Sequence, residues 1–298
     1  MRKYFFALTL MLGLFSLNAS PNGEYGFQIL KISSGTDATA LAETGAVVSK
    51  NAFGFMQNPA SGLFQKTKTI STANNSWIFG TAINSTAYLN SDGKSAFACG
   101  YRFLDYGKLI NYDDTAQPDG EFHPLDFILS FNFARRISPN HYTGITLNTL
   151  FEKIDSESSF GYAFDLGYIY LPPIQNLTII TALKNIGSAT KMKNEGIILP
   201  VSGELAINYK FRAEHMTIFT PEIKLIKNID EIARVNMGMN VNFQNLFDLK
   251  IGYKFNHETQ SISGGVDIHL KKITVGYAFL PFKFEIDDVH MFELSYKF

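Results

Sequence analysis

Histidine, cysteine and paired carboxylates are the side chains best able to do chemistry, and their spacing in this sequence organises none. The six histidines, His123, His141, His215, His257, His269 and His290, fall in no HExxH or HxH arrangement and predict no metal centre. Asp113-Asp114 and Asp287-Asp288 lack the alternating oxygen-ligand spacing of a calcium loop and read as solvated loop residues. There is no GxSxG elbow, Walker loop or GxGxxG run, and no Ser–His pair stands out. Cys99 is the single cysteine, which excludes an internal disulfide. In the alternation Phe97, Cys99, Tyr101, Phe103 it reads as a small apolar side chain. These patterns predict a protein that is not an enzyme and uses no cofactor or metal.

Three other spots stand out for backbone reasons. Asn58-Pro59-Ala60 follows a small-residue, helix-prone run (Ala38, Ala40, Ala42) and closes it, because proline disfavours α geometry in the residue before it. Gly264-Gly265 inside a strand pattern predicts a bulge or a close backbone approach. Pro221 sits mid-strand on an apolar face between Phe219 and Ile223, where it removes a ladder donor. A bulge is the ordinary consequence; a local gap in a strand wall, suited to lateral exit of an apolar ligand, is the functional one.

The elements that carry these residues are strands. Phe127, Leu129, Phe131 and Phe133 alternate with polar partners, and so do Leu205, Ile207, Tyr209 and Phe211, and Ile251, Tyr253 and Phe255. A soluble sandwich also alternates. Runs of about ten residues along the whole chain, a Gly/Asn/Ser-rich opposite face and aromatics gathered at strand ends favour a membrane barrel. About fourteen strands fit, an even number. With both termini on one side, every second link is short: Ser91-Asp92-Gly93, Ser138-Pro139-Asn140, Pro172-Pro173, Arg212-Ala213, Gln244-Asn245 and Lys271-Lys272. The alternate links include the long stretches Gly107–Phe122 and Asn185–Leu199. The fold class is therefore all-β, a transmembrane antiparallel barrel of about fourteen strands with an N-terminal hatch in the lumen.

Composition agrees. Of 298 residues, 27 are Phe and 14 are Tyr, types that suit half-buried pleated surfaces. A formal net charge of −1 gives no reason to expect nucleic acid as a partner. Arg2-Lys3, the apolar run Tyr4–Leu14 and Leu17-Asn18-Ala19 read as an export signal cleaved near Ala19, with the mature chain starting near Ser20. The run is shorter than the roughly 20 residues of a membrane helix. The expected division is a signal peptide over 1–19, a hatch over 20–66 and a barrel over 67–298. The destination is the bacterial outer membrane, with its lipid as a partner. Phe292, Leu294, Tyr296 and Phe298 alternate to a terminal aromatic and resemble the C-terminal signal that outer-membrane barrels present to the barrel assembly machinery.

Taken in order, Phe27-x-x-Leu30-Lys31-Ile32, the Ala-rich run and Asn58-Pro59-Ala60-Ser61-Gly62-Leu63 resemble the opening of the PorV/PorQ family of outer-membrane barrels. That family is similar to the long-chain fatty acid transporter FadL, whose hatch also carries an Asn-Pro-Ala element. Tyr106-Gly107-Lys108, Gly120-Glu121-Phe122 and Lys184-Asn185-Ile186-Gly187 resemble PorQ more than PorV. Thr36-Asp37-Ala38-Thr39 and Glu43-Thr44-Gly45 stand where the family often has Arg-Ala and Met-Gly pairs. The resemblance implies a non-catalytic component of the type IX secretion system, holding a PorZ-like surface protein through its outer loops. Tyr112, Phe122, Lys191, Met192 and Lys193, aromatic and basic residues of the two long loops, are then the candidate contact residues. Fold analogy alone also permits a FadL-like transporter of long-chain fatty acids or other hydrophobic molecules.

Overall fold

The computed structural model describes residues 25–113, 115–213, 216–229 and 231–298. The export signal expected over 1–19 and the start near Ser20 lie outside them.

Period-two alternation of apolar and polar residues becomes strand throughout the second part of the chain. The strands are β1 (Lys68–Ser76), β2 (Ala82–Ser91), β3 (Ser95–Asp105), β4 (Leu109–Tyr112), β5 (Pro118–Phe122) and β6 (Leu125–Ser138). Next come β7 (His141–Ile154), β8 (Glu157–Tyr170), β9 (Leu177–Ala189), β10 (Ser202–Tyr209), β11 (Phe211–Arg212) and β12 (Thr217–Asn228). The chain finishes with β13 (Arg234–Phe243), β14 (Phe247–Phe255), β15 (Ile262–Leu270), β16 (Ile273–Leu280) and β17 (Val289–Lys297). β4 and β5 pair only with each other. The rest, with β11 continuing β10, form a fourteen-strand antiparallel sheet among the described residues. It is closed by β1 against β17, in register from Thr69↔Lys297 to Ser76↔His290. Closure leaves no unpaired strand edge, which a bilayer requires. No helix among the described residues is long and apolar enough to cross a membrane.

The two faces differ as the alternation demands. β14 reads exposed–buried throughout, with Leu249, Ile251, Tyr253 and Phe255 outward and Asp248, Lys250 and Lys254 inward. Charged residues are buried because the lumen is filled. Residues 25–66 lie inside it as short helical turns at Gln28–Lys31, Thr36–Ala40, Gly54–Gln57 and Ser61–Phe64. Phe53, Phe55 and Leu63 pack on Ala73, Leu89, Ala134 and Ile169 of the wall, and Phe27, Ile29 and Leu30 pack on Ile83, Leu104 and Ile128. The hatch thus fills much of the lumen.

Four expectations need correction. The Gly107–Phe122 stretch is not simple loop: β4 and β5 form a hairpin standing off the barrel. β9 runs on to Ala189, so the Asn185–Leu199 stretch begins as strand; a register shift opposite Phe164–Leu166, with Asn185 left-handed at φ 62°, hides the continuity. The short link at Pro172-Pro173 runs to six residues, 171–176. Pro221 makes no bulge against β13, whose register with β12 is unbroken from Thr217↔Phe243 to Ile226↔Arg234.

Candidate functional site

The interruption that Pro221 causes lies on its other side. The β10 ladder with β12 stops at Asn208↔Glu222 and resumes at Phe211↔Phe219. In the gap the Lys210 N–H donates to the Asn176 carbonyl at 3.0 Å, away from β12. Proline has no N–H to offer in return. On the outer face this place is a groove of about 550 Å³, walled by Ile207, Tyr209, Pro221, Met237, Met239 and Ile251.

The floor of that groove is bare backbone. Gly238 and Gly252 face each other in register across β13 and β14. A Cβ on Gly238 would stand 2.0 Å from Thr44 Oγ1 and 2.9 Å from the Leu41 carbonyl oxygen. One on Gly252 would stand 2.5 Å from the Ala42 amide nitrogen. Only glycine lets the hatch come this close. One layer of peptide therefore separates the hatch tip, Leu41–Gly45, from the outside of the barrel.

The tip is held in an unfavourable conformation by polar contacts. Ala42 and Glu43 are both left-handed, at φ 53° and 67°, which costs about 1–2 kcal/mol for each non-glycine residue. Asn236 Nδ2 donates to the Ala42 carbonyl (2.7 Å), Lys224 Nζ to the Glu43 carbonyl (2.8 Å) and the Gly45 N–H to Glu222 Oε1 (3.0 Å). The Glu43 carboxylate pairs with Lys254 at 2.6 Å. Just before the tip, Lys250 bridges the Asp37 and Asp267 carboxylates. Glu293 Oε2 accepts from the Thr36 N–H (2.8 Å) and from Asn51 Nδ2 (3.0 Å). Left-handed residues persist only where their surroundings over-determine them, and they cluster at ligand clamps and switch regions.

Cavities flank the tip. Towards the long loops lie a polar space of about 60 Å³ bordered by Arg102, Asp165, Glu204 and Lys224 and a mouth of about 260 Å³ bordered by Lys31, Trp77, Arg234 and His257. Burial, then the cations Lys254 and Arg234, push the His257 imidazole down to about 4. Towards the short turns lies a space of about 580 Å³ between Val47, Val48 and Phe64 of the hatch and Leu171, Pro172 and Lys210. Among the described residues no group of His, Cys, Asp and Glu is arranged to hold a metal.

The residues singled out in the sequence are placed as follows. Asn58, Pro59 and Ala60 are buried in a second seat. Asn58 Nδ2 donates to the Thr181 carbonyl (2.9 Å), Asn58 Oδ1 accepts from the Ala60 N–H (2.9 Å), and Asn132 Nδ2 donates to the Pro59 carbonyl (3.1 Å). Phe292, Leu294 and Tyr296 line the outer face of β17, and the Phe298 N–H reaches the Lys68 carbonyl at 3.0 Å, beside the closing seam. Tyr112 is exposed on β4 and Phe122 half-buried on β5. Lys191, Met192 and Lys193 lie between β9 and β10 around the Met192↔Glu195 bridge. The hairpin and this loop share one end of the barrel, and no hydrogen bond, ion pair or ring contact joins their candidate residues among the described ones. Sequence reasoning missed Gly238, Gly252 and Glu43; a lumen-facing glycine at the same level on two consecutive strands is the signal that could have found the first two.

No protein-family model matches the chain, and no curated protein matches it. Solved structures do. The Ralstonia pickettii toluene transporter TbuX superposes with a TM-score of 0.63 at 12% identity, covering 89% of this chain and 98% of that one. The monoaromatic hydrocarbon channel CymD gives 0.61 at 11% identity over 92% and 99%. A Pseudomonas aeruginosa FadL homologue gives 0.55 at 10% over 90% and 98%. At such identity the shared property is the fold alone, a closed antiparallel β-barrel.

Proposed function

We propose that this protein is a FadL-like outer-membrane channel for hydrophobic molecules, with the short turns on the periplasmic side and lateral exit through the wall at Pro221. The observation that carries this reading is the apolar groove backed by one layer of glycine backbone and a strained hatch tip. The charged cavity beside the tip is too small and too polar to pass an apolar cargo lengthwise. A sideways route needs only the tip to withdraw and the already interrupted β10–β12 seam to part. The likeness in fold to hydrocarbon channels supports the same class of cargo. The test is uptake of a labelled long-chain fatty acid and of toluene by cells that lack their own channels. Cysteines placed at residues 43 and 254, whose native side chains meet at 2.6 Å, in a Cys99→Ala background, lock the tip when bridged by a reducible bis-methanethiosulfonate. Uptake should fall on bridging and return on reduction; equal uptake in both states refutes exit at this site.

A second reading is favoured by one observation. The β4–β5 hairpin stands clear of the barrel with Leu109, Ile110 and Tyr112 exposed, as suits a PorQ-like anchor for a surface protein of a type IX secretion system. Removing residues 109–121 should then release surface proteins into the medium and leave uptake unchanged. Lost uptake with surface proteins retained rejects the anchor.

A further inference from the structure

The net charge of −1 conceals a strong separation of charge along the barrel axis. The loop end carries an excess of acid: Asp105, Asp113, Asp119, Glu121, Asp155, Glu157, Glu195, Glu258, Glu285, Asp287 and Asp288 against Lys108, Lys153, Lys191, Lys193 and Lys283. The turn end is basic; apart from Lys210 and Arg212 at the end of β10–β11, its exposed basic residues follow one another around the wall. Lys271 and Lys272 make the β15–β16 turn, Lys68 opens β1, Lys94 sits in the β2–β3 turn, and Arg135 and Arg136 lie near the end of β6. In barrel order these strands are neighbours, from β15 through the β17–β1 seam to β6. All six residues are exposed. They span half of the circumference, from β15 at the edge of the Pro221 groove to β6.

Their height is as informative as their sign. Lys68 continues the outward row of Ile70, and Arg135 continues the outward row of Phe131 and Phe133. Lys272 Nζ lies 6.0 Å from the centre of the Tyr296 ring, and between the Lys94 turn and Arg135 the Phe97 and Phe133 rings meet edge to face at 5.7 Å. The cations thus sit at the rim of an aromatic belt, where headgroups meet hydrocarbon.

We propose that this arc is a binding surface for anionic phospholipid headgroups in the leaflet on the turn side. The assignment rests on the outer-membrane reading but not on what is transported. Charge complementarity selects an anionic headgroup. The arrangement selects lipid over a soluble acidic protein, because turns as short as 139–140 and 271–272 offer too little area for a specific protein interface. The acidic loop end repels the same lipid, so the arc also favours one orientation.

The test uses the full chain in nanodiscs of equal phosphatidylglycerol and phosphatidylcholine, extracted with mild detergent, with retained lipid counted by native mass spectrometry. The wild type should keep phosphatidylglycerol in clear excess. Lys94→Gln, Arg135→Gln, Lys271→Gln and Lys272→Gln together should cut that retention by at least about five-fold. Lys191→Gln with Lys193→Gln, at the loop end, should leave it unchanged. Raising the salt should weaken retention in the wild type, a reading that needs no variant. Equal retention by the four-site variant, equal loss in the loop-end control, or salt-independent retention each overturns the proposal. Insertion without any lipid preference overturns it while sparing the channel reading. Failure to insert in any lipid overturns both.

Discussion

The hatch touches the barrel wall through two glycine seats that are built differently. At one, Asn58-Pro59-Ala60 lies on Gly144 and Gly167, which pair across β7 and β8, and a Cβ on Gly144 would stand 2.3 Å from the Pro59 carbonyl oxygen. Every polar contact described there is neutral, and Leu63, Phe55 and Ile169 pack around it. At the other, residues 36–45 lie on Gly276, Gly265, Gly252 and Gly238, and the links run through Asp37, Glu43, Lys250, Lys254 and Glu293. The first seat is held by neutral hydrogen bonds and packing, the second by buried ion pairs around left-handed residues, so a change in charge acts on the second. The ionic seat is also the one that stands behind the thin wall.

Breaking the ionic seat at its root should have the largest effect. Lys250→Met leaves the Asp37 and Asp267 carboxylates buried without a cation, and should cost about 3–5 kcal/mol in urea unfolding of the refolded barrel. The neutral seat is broken by Gly144→Ala, which drives a methyl into the Pro59 carbonyl and should cost about 1–3 kcal/mol. Its conductance in planar bilayers should stay at the wild-type level whenever the barrel is folded; a rise would mean that this seat also gates. Glu43→Gln sharpens the contrast: a stability loss of about 1 kcal/mol, but faster hydrogen exchange at residues 41–45 and higher single-channel conductance. Unchanged exchange would deny that the tip is a latch.

The smallest expected effect is on pH dependence. His257 titrates near 4 in the folded chain, below its ordinary value near 6.5. It therefore favours folding fully above about pH 6.5, and that contribution is lost as pH falls through about 4. The midpoint of urea unfolding should fall less steeply over this window in His257→Asn than in the wild type. Equal slopes would remove His257 from the account.

Much of this was legible in the sequence. The alternation of Leu205, Ile207, Tyr209 and Phe211 fixed face and direction, and the parity of turns and loops fixed the strand count, because a side-chain period of two leaves little freedom. The small residues around Ala40 and the stop at Asn58-Pro59 marked the hatch. Local patterns could not reveal pairings across the lumen. Gly264-Gly265 left a bulge and a close approach open; Gly265 meets Ala40 with a would-be Cβ contact of 2.6 Å, whereas Gly264 has only the Lys250 carbonyl oxygen at 3.5 Å. Leu-Ile-Asn-Tyr at β4 has no alternation to betray a strand. Glu43 is one carboxylate among many until Lys254, 211 positions later, comes to face it.

The bond from the Thr36 amide to Glu293 joins positions 257 apart. Almost the first described segment is thus secured by the last strand, and β1 waits for the same strand to close the wall. Contacts of such span carry the full loop-closure cost before they return anything, and they slow folding. An incompletely synthesised chain lacks both its closing seam and its hatch anchor. Wall closure and lumen filling should therefore appear as one kinetic event, with no long-lived empty barrel to leak while the chain is being inserted.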